Sequence, residues 1–120
     1  MTKIATLCLV INNGKILLMR KKRGFGHGKI VAPGGHVENE TLQEAAAREV
    51  FEETGIMPIN PEKYGEIYFY FGQEEEPDWI VHIFLAEKFE GVEKETEEGI
   101  PKWHDKDNIP YDEMWADDFY

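Results

Sequence analysis

The 120-residue chain is poor in cysteine, in basic side chains and in long apolar runs, and each scarcity excludes something. Its one cysteine, Cys8, leaves no internal disulfide and no multi-cysteine zinc site. Only 13 Lys and Arg stand against 24 Asp and Glu, a formal net charge of −11. Such a chain is a poor non-specific partner for nucleic acid polymers or anionic lipid, because counterion release works against an acidic surface. The longest apolar run, 7–11, is far too short to span a bilayer, and no signal-peptide pattern is present. These absences predict no nucleic-acid polymer or membrane partner and a reducing, cytoplasmic compartment. Phosphates stay within reach, provided a divalent cation reverses the sign of charge locally.

Hydrophobic residues make up 42% and aromatics 12% of the chain, enough for one independent core at this length. No repeat, low-complexity tract or linker interrupts it, so residues 1–120 are expected to form a single domain. Apolar runs at 4–11 and 15–20 flank Asn12-Asn13-Gly14, a hairpin signal. Residues 21–28, Lys-Lys-Arg-Gly-Phe-Gly-His-Gly, form the only strongly basic stretch and are expected to be a loop. An extended piece at 29–32 should lead into Pro33-Gly34-Gly35, taken as a turn outside regular structure. Residues 41–54 favour helix, with Thr41 and Glu44 as a capping box and Gly55 as C-cap. Strands are expected at 66–71, 79–87 and 102–104, a loop or edge strand at 92–98, and a helical turn at 109–115. Strands outnumber helices and one helix is central, which predicts an α+β class.

That helix carries an excess of like charge. Glu49, Glu52 and Glu53 stand at i, i+3 and i+4, so their carboxylates share one face. Each such pairing costs an isolated helix about 0.2–0.5 kcal/mol, and Arg48 offsets only part of it. Ala46, Ala47, Val50 and Phe51 lie on another stripe, expected to face the core. The carboxylate face is either a solvated surface or a set of oxygen ligands for a hard divalent cation, Mg²⁺ before others.

The flanking residues distinguish these readings. Gly34, five residues, Glu40, seven residues, then Arg48-Glu49-Val50-Phe51-Glu52-Glu53-Thr54-Gly55-Ile56 resembles the Nudix box, G-x5-E-x7-R-E-U-x-E-E-x-G-U with U aliphatic. In most members the count starts from the second glycine of the pair. Here it starts from Gly34, and the loop between Gly35 and Glu40 is one residue shorter than usual. The resemblance implies a Nudix α/β/α sandwich with a mixed β-sheet and one central catalytic helix. It also implies a loop–helix–loop that binds Mg²⁺ or Mn²⁺ and hydrolyses a nucleoside diphosphate linked to another group. Glu49, Glu52, Glu53 and the Gly34 carbonyl are then the metal ligands, and Glu52 or Glu53 serves as general base. By the same resemblance Arg48 orients a glutamate rather than touching substrate.

Further motifs narrow the branch. Thr6-Leu7, the run Lys21-Lys22-Arg23-Gly24-Phe25-Gly26, Met114-Trp115-Ala116-Asp117-Asp118, and the spacing of Gly91, Glu98 and Trp103 resemble the branch that hydrolyses oxidised purine nucleoside triphosphates such as 8-oxo-dGTP and 2-hydroxy-dATP. The likeness covers essentially the whole chain. It implies that Glu98 supplies a further metal or water contact, and that Thr6, Lys21, Gly34 and Gly35 lie near the substrate, with Lys22 and Arg23 helping to attract triphosphate. Trp115, Asp117 and Asp118 correspond to a purine pocket: an indole face stacks a base, and two neighbouring carboxyls sharing one proton donate and accept at its edge. Phe25 and Phe69 would wall that pocket. The base-reading asparagine of the branch aligns with Val31, which has no hydrogen-bonding group. Relatives continue beyond the position of Tyr120 into another helix that covers the sheet, so the C-terminal helix of the sandwich is expected to be missing, and a homodimer or a shortened chain is expected in its place. His27, His36, His82 and His104 show no ligand spacing, and Cys8 is expected in the core.

The sequence thus predicts a Mg²⁺-dependent Nudix hydrolase that converts purine nucleoside triphosphates, oxidised ones preferred, to monophosphate and pyrophosphate, a nucleotide-pool sanitising role. The alternatives are a Nudix hydrolase of ordinary dNTPs or ADP-ribose, and a non-catalytic nucleotide-binding Nudix module. The ADP-ribose branch usually has a proline downstream of the box, and none lies between Pro61 and Pro77. A complete Glu49, Glu52 and Glu53 set argues against a module that only binds.

Overall fold

Asn13 and Gly14 take left-handed backbone, φ 52° and 77°, the conformation that a two-residue hairpin turn needs to match strand twist. They join β1 (Lys3–Asn12) to β2 (Lys15–Lys21), with Asn12 opposite Lys15 and Ile11 opposite Ile16. The computed structural model describes residues 2–24, 27–72 and 75–114. After β2 come β3 (Ile30–Val31), β4 (Gly34–His36), α1 (Leu42–Thr54), β5 (Met57–Pro58), β6 (Glu62–Phe69), β7 (Trp79–Ala86), β8 (Phe89–Glu90) and β9 (Gly99–Asp105), then a 3₁₀ turn at Tyr111–Glu113.

β1 organises the larger sheet. One edge pairs along its length with β7 in parallel register, Lys3 with Trp79 through Val10 with Ala86. The other edge is shared: β4 occupies its first half antiparallel, and β2 its end. β6 continues the sheet beyond β7, and β2 carries β3 and β9. β5 and β8 form a separate two-stranded ribbon. This is the mixed sheet with a single helix that the sequence predicts; the second helical layer of a sandwich is not among the described residues.

The core lies between α1 and one face of the sheet. Cys8, Val10, Leu17, Ala46, Val50, Ile56, Phe84 and Ala86 are buried there, with Leu42, Phe89 and Trp103 packed at its margin. Fully burying a side chain the size of Val or Leu contributes about 1.5–3 kcal/mol, so this cluster fixes how α1 sits on the strands. The helix starts with the expected capping box: the Thr41 hydroxyl accepts from the Glu44 N–H, and the Glu44 carboxylate accepts from the Thr41 N–H. It ends at Gly55, whose N–H donates to the Phe51 carbonyl.

Several expectations are corrected. Phe51 is 47% exposed, and Ala45 takes the core position instead. The buried stripe runs through Ala46, Val50 and Thr54 at spacings of four, with Ala45 beside it, and Phe51 lies round the helix from that stripe. Gly34-Gly35 belongs to a strand rather than a free turn, because their backbone supplies β1 with a partner where β2 has diverged. β6 begins at Glu62, four residues before the expected start, and β9 spans Gly99–Asp105 rather than 102–104. β5 and β8, two residues each, are too short to show periodicity. Among the described residues no helix is long and apolar enough to cross a membrane.

Candidate active site

Arg48 is the hub of the candidate site. Its Nε donates to both oxygens of Glu40 at 3.0 Å, and its Nη2 donates to Glu40 Oε1 at 2.6 Å. Nη1 donates to Glu49 Oε1 at 2.9 Å and Glu52 Oε1 at 3.1 Å, and Nη2 reaches the His36 carbonyl at 3.2 Å. One guanidinium fork therefore ties the loop after β4 to two carboxylates of α1. Despite the short loop, Glu40 reaches Arg48, which holds its carboxyl below the usual carboxylate range. Glu40 in turn keeps Arg48 firmly charged.

Glu49 and Glu53 face β4. The Glu49 carboxylate packs against Gly35, where a Cβ would meet it at 2.6 Å and push it aside, while a Cβ on Gly34 would run into the Thr6 backbone carbonyl, so glycine is required there. The Gly34 N–H donates to Glu53 Oε1 at 3.1 Å. Burial pushes the Glu53 carboxyl up to about 9, reinforced by its hydrogen bond to Glu49 and the charge of Glu49, then by Glu98, and opposed by the Gly34 N–H. Glu52 is more open, its side chain 55% exposed.

Glu98 arrives from the loop between β8 and β9. With Thr96 and Glu97 it faces Glu49, Glu52 and Glu53 across a cleft of about 490 Å³. Arg23 donates to Glu98 Oε1 through Nε at 3.2 Å and Nη2 at 2.5 Å. Lys22 pairs with Glu95 at 2.6 Å, and its N–H donates to the Glu98 carbonyl at 3.0 Å. The basic loop after β2 is thereby docked on the acidic loop, and Lys21 lies opposite Gly99, next to Glu98.

The remaining predicted positions are spread out. Thr6 pairs across the sheet with Gly35 and His82 and is fully buried, its Oγ1 without a hydrogen-bond partner. Val31 sits in β3 opposite Met19. Phe69 ends β6 opposite Trp79, its ring stacked on Phe71 at 6.0 Å. Neither Val31 nor Phe69 lines the acidic cleft. Phe25, Trp115, Asp117 and Asp118 lie outside the described residues. Thr96 and Glu97 line the cleft without having been singled out in the sequence. A lone threonine and one acid in an acidic run carry no spacing signal.

The donor set fits a hard cation. Glu49, Glu52, Glu53 and Glu98 supply only oxygen, the chemistry that Mg²⁺ and Mn²⁺ take. In this arrangement positive charge already sits against three of them: Arg48 on Glu49 and Glu52, and Arg23 on Glu98. So arranged, no three ligating side chains among the described residues close on a single point.

Known proteins place this geometry in a family. The oxidized purine nucleoside triphosphate hydrolase of Danio rerio is 47% identical over 119 residues, 98% of this chain and 75% of that protein. The protein of the same name from Mus musculus is 42% identical over 121 residues, 99% of this chain and 76% of its own length. Among solved structures, the MutT protein from Bacillus halodurans superposes with a TM-score of 0.78 at 36% identity, over 97% of this chain and 76% of that one. The family model described as a NUDIX domain matches residues 1–120, and with the helix-borne carboxylates, the Arg48 fork and the glycine strand in place, the chain belongs to the NUDIX family.

Proposed function

We propose that this chain is a divalent-metal-dependent hydrolase that cleaves purine nucleoside triphosphates, oxidised purines preferred, to nucleoside monophosphate and pyrophosphate. The observation that carries the proposal is the joining of two features: near full-length likeness to oxidized purine nucleoside triphosphate hydrolases, and four carboxylates facing one cleft beside a basic loop. A role in cleansing the nucleotide pool follows from that substrate, and we place it in the cytoplasm as part of the same proposal.

Glu49, Glu52, Glu53 and Glu98, with the Gly34 carbonyl, would hold Mg²⁺ or Mn²⁺. Such an ion would neutralise phosphate charge and orient and polarise the attacking water. The chain's own residues do the rest. Arg48 holds Glu40, Glu49 and Glu52 in one arrangement, so the carboxylates enter the reaction already oriented. Lys21, Lys22 and Arg23 raise the local concentration of a triphosphate against the protein's overall negative field. As water attacks phosphorus and the P–O bond to the pyrophosphate leaving group breaks, the water's proton passes to a carboxylate oxygen of Glu52 or Glu53. For the base, the roles carried over by likeness are Trp115 to stack the purine, Asp117 and Asp118 to read its edge with a shared proton, and Phe25, Phe69, Thr6 and Gly35 to contact the substrate. Val31 favours a second reading, a broader purine preference, because an aliphatic side chain cannot read the base edge at that position.

The test is pyrophosphate release with Mg²⁺, with Mn²⁺ and with EDTA, on 8-oxo-dGTP, 2-hydroxy-dATP, dGTP, dATP and ADP-ribose. Metal-dependent turnover that favours the oxidised purines is the expected result. Equal rates on normal and oxidised purines would select the second reading, and no pyrophosphate from any triphosphate would overturn both.

A further inference from the structure

We infer that Thr96 is a positioning residue that sets the distance between the helix-borne and the loop-borne carboxylates of the site. One hydroxyl makes the connection. Thr96 Oγ1 donates to the Glu53 carbonyl at 2.8 Å and accepts from the Glu98 N–H at 3.2 Å and the Gly99 N–H at 3.3 Å. Glu53 and Glu98 are thus held through their backbones by the same atom, while their side chains and Thr96 itself line the same cleft.

The local chemistry explains why a hydroxyl is needed. The Glu53 carbonyl belongs to the last turn of α1, where carbonyls have no partner inside the helix. A donor must come from outside, and Thr96 supplies it; the Lys94 N–H serves the neighbouring Thr54 carbonyl at 2.9 Å. On the other side, the N–H groups of Glu98 and of Gly99, the first residue of β9, need an acceptor, and both donate to the Thr96 hydroxyl. The Thr96 N–H donates to the Gly99 carbonyl at 3.0 Å, which closes the turn. Only a group that donates once and accepts more than once satisfies both sides, and a hydroxyl does so. The ion pairs on this loop, Lys22–Glu95 and Arg23–Glu98, are exposed, weak and easily screened, and the backbone bonds Lys94–Thr54 and Lys22–Glu98 each hold only one side of the set. The partly buried Thr96 hydroxyl touches the backbone of both Glu53 and Glu98, and so links the two halves of the carboxylate set directly.

The inference rests on the metal-site reading given above, and the experiment separates the two. Mn²⁺ affinity is measured on the folded chain by calorimetry or by the resonance signal of free Mn²⁺, well below the melting temperature. The variants are Thr96→Val, Thr96→Ser, Glu98→Gln and the double variant Thr96→Val with Glu98→Gln. Changes behind metal ligands typically cost about 10–100-fold in metal affinity, so Thr96→Val should weaken Mn²⁺ by about tenfold. Thr96→Ser keeps every hydrogen bond and should stay within about twofold of the parent. Because Thr96 acts through Glu98, Thr96→Val should cost little more once Glu98→Gln is present.

A residue that merely caps α1 would lower the melting temperature of Thr96→Val and leave Mn²⁺ affinity unchanged. That outcome, or full additivity with Glu98→Gln, overturns the inference while the metal site stands. A parent chain that binds no Mn²⁺, or a Glu98→Gln variant that binds it normally, overturns the site and the inference together. If Thr96→Val does not fold, Thr96→Ala removes the same hydroxyl with no added bulk and is judged by the same outcomes.

Discussion

Arg48 grips Glu40 through both carboxylate oxygens, at 2.6–3.0 Å, from a helix turn that also presents Glu49 and Glu52 to the same guanidinium. The contact bridges eight residues and joins the strand-to-helix loop to the carboxylate face of α1. Lysine offers a point charge in place of a fork. Arg48→Lys should therefore lower kcat by about 10²-fold, the cost of a misplaced reacting group, with a smaller change in KM. Glu40→Gln should move kcat in the same direction. Steady-state kinetics on the preferred triphosphate checks both, and an unchanged kcat in Arg48→Lys would show that orientation by this arginine is dispensable.

Glu52 and Glu53 carry the chemistry proposed for the helix. Replacing either by Gln keeps shape and removes charge, and should reduce turnover by at least about 10²-fold through loss of a metal or base contact. Circular dichroism should show both variants folded. Near-normal activity in both would sink the mechanism.

Specificity is assigned to other positions. Val31→Asn restores a hydrogen-bonding group where the branch has one, and should raise the preference for oxidised over normal purines by about tenfold or more, the effect of one satisfied polar contact. Asp117→Asn should reorder the purines more than it slows hydrolysis. Ratios of kcat/KM across the nucleotide panel decide each case.

The helix supports a stability contrast. Thr41→Ala removes the N-cap hydroxyl and should cost about 1 kcal/mol. Val50→Ala opens the core and should cost about 2 kcal/mol, whereas Phe51→Ala, at a half-exposed site, should cost about 0.5 kcal/mol. Urea unfolding measures all three.

Burial in the core pushes the Cys8 thiol from 9.0 up to about 12. A thiol with a raised value in the folded state stabilises it fully below the unfolded value and loses that contribution as pH climbs from about 9 towards 12. At pH 8 the native chain should therefore resist a thiol-specific disulfide reagent and react promptly once unfolded. Rapid reaction of the folded chain would place Cys8 at the surface.

Local chemistry was enough to read much of the molecule. The Asn13-Gly14 turn, the Thr41–Glu44 capping box, the Gly55 stop and the i, i+3, i+4 carboxylates are short-range patterns, each written within a few residues and each present in the fold. The Nudix box is equally local, and it pointed to Arg48, Glu49, Glu52 and Glu53 before any contact was known.

What depended on distant pieces of chain had to wait for the tertiary structure. Gly34 and Gly35 read as a turn because glycine pairs signal turns, yet β1 needed a strand beside it, and the backbone of Thr6 and Leu7 leaves no room for a side chain at Gly34. Phe51 read as core because it is apolar, but which stripe of α1 is buried is decided by the sheet beneath it. Thr96 carried no signal at all: its role arises only where the end of α1 and the start of β9 meet, forty-three residues apart from Glu53 in sequence. Periodicity and capping act within one or two turns of chain, so sequence alone settled α1 with its caps and the β1–β2 turn, and put Glu49, Glu52 and Glu53 on one helix face. Register, burial and the meeting of the two acidic segments are long-range packing outcomes, and only the folded chain decided them.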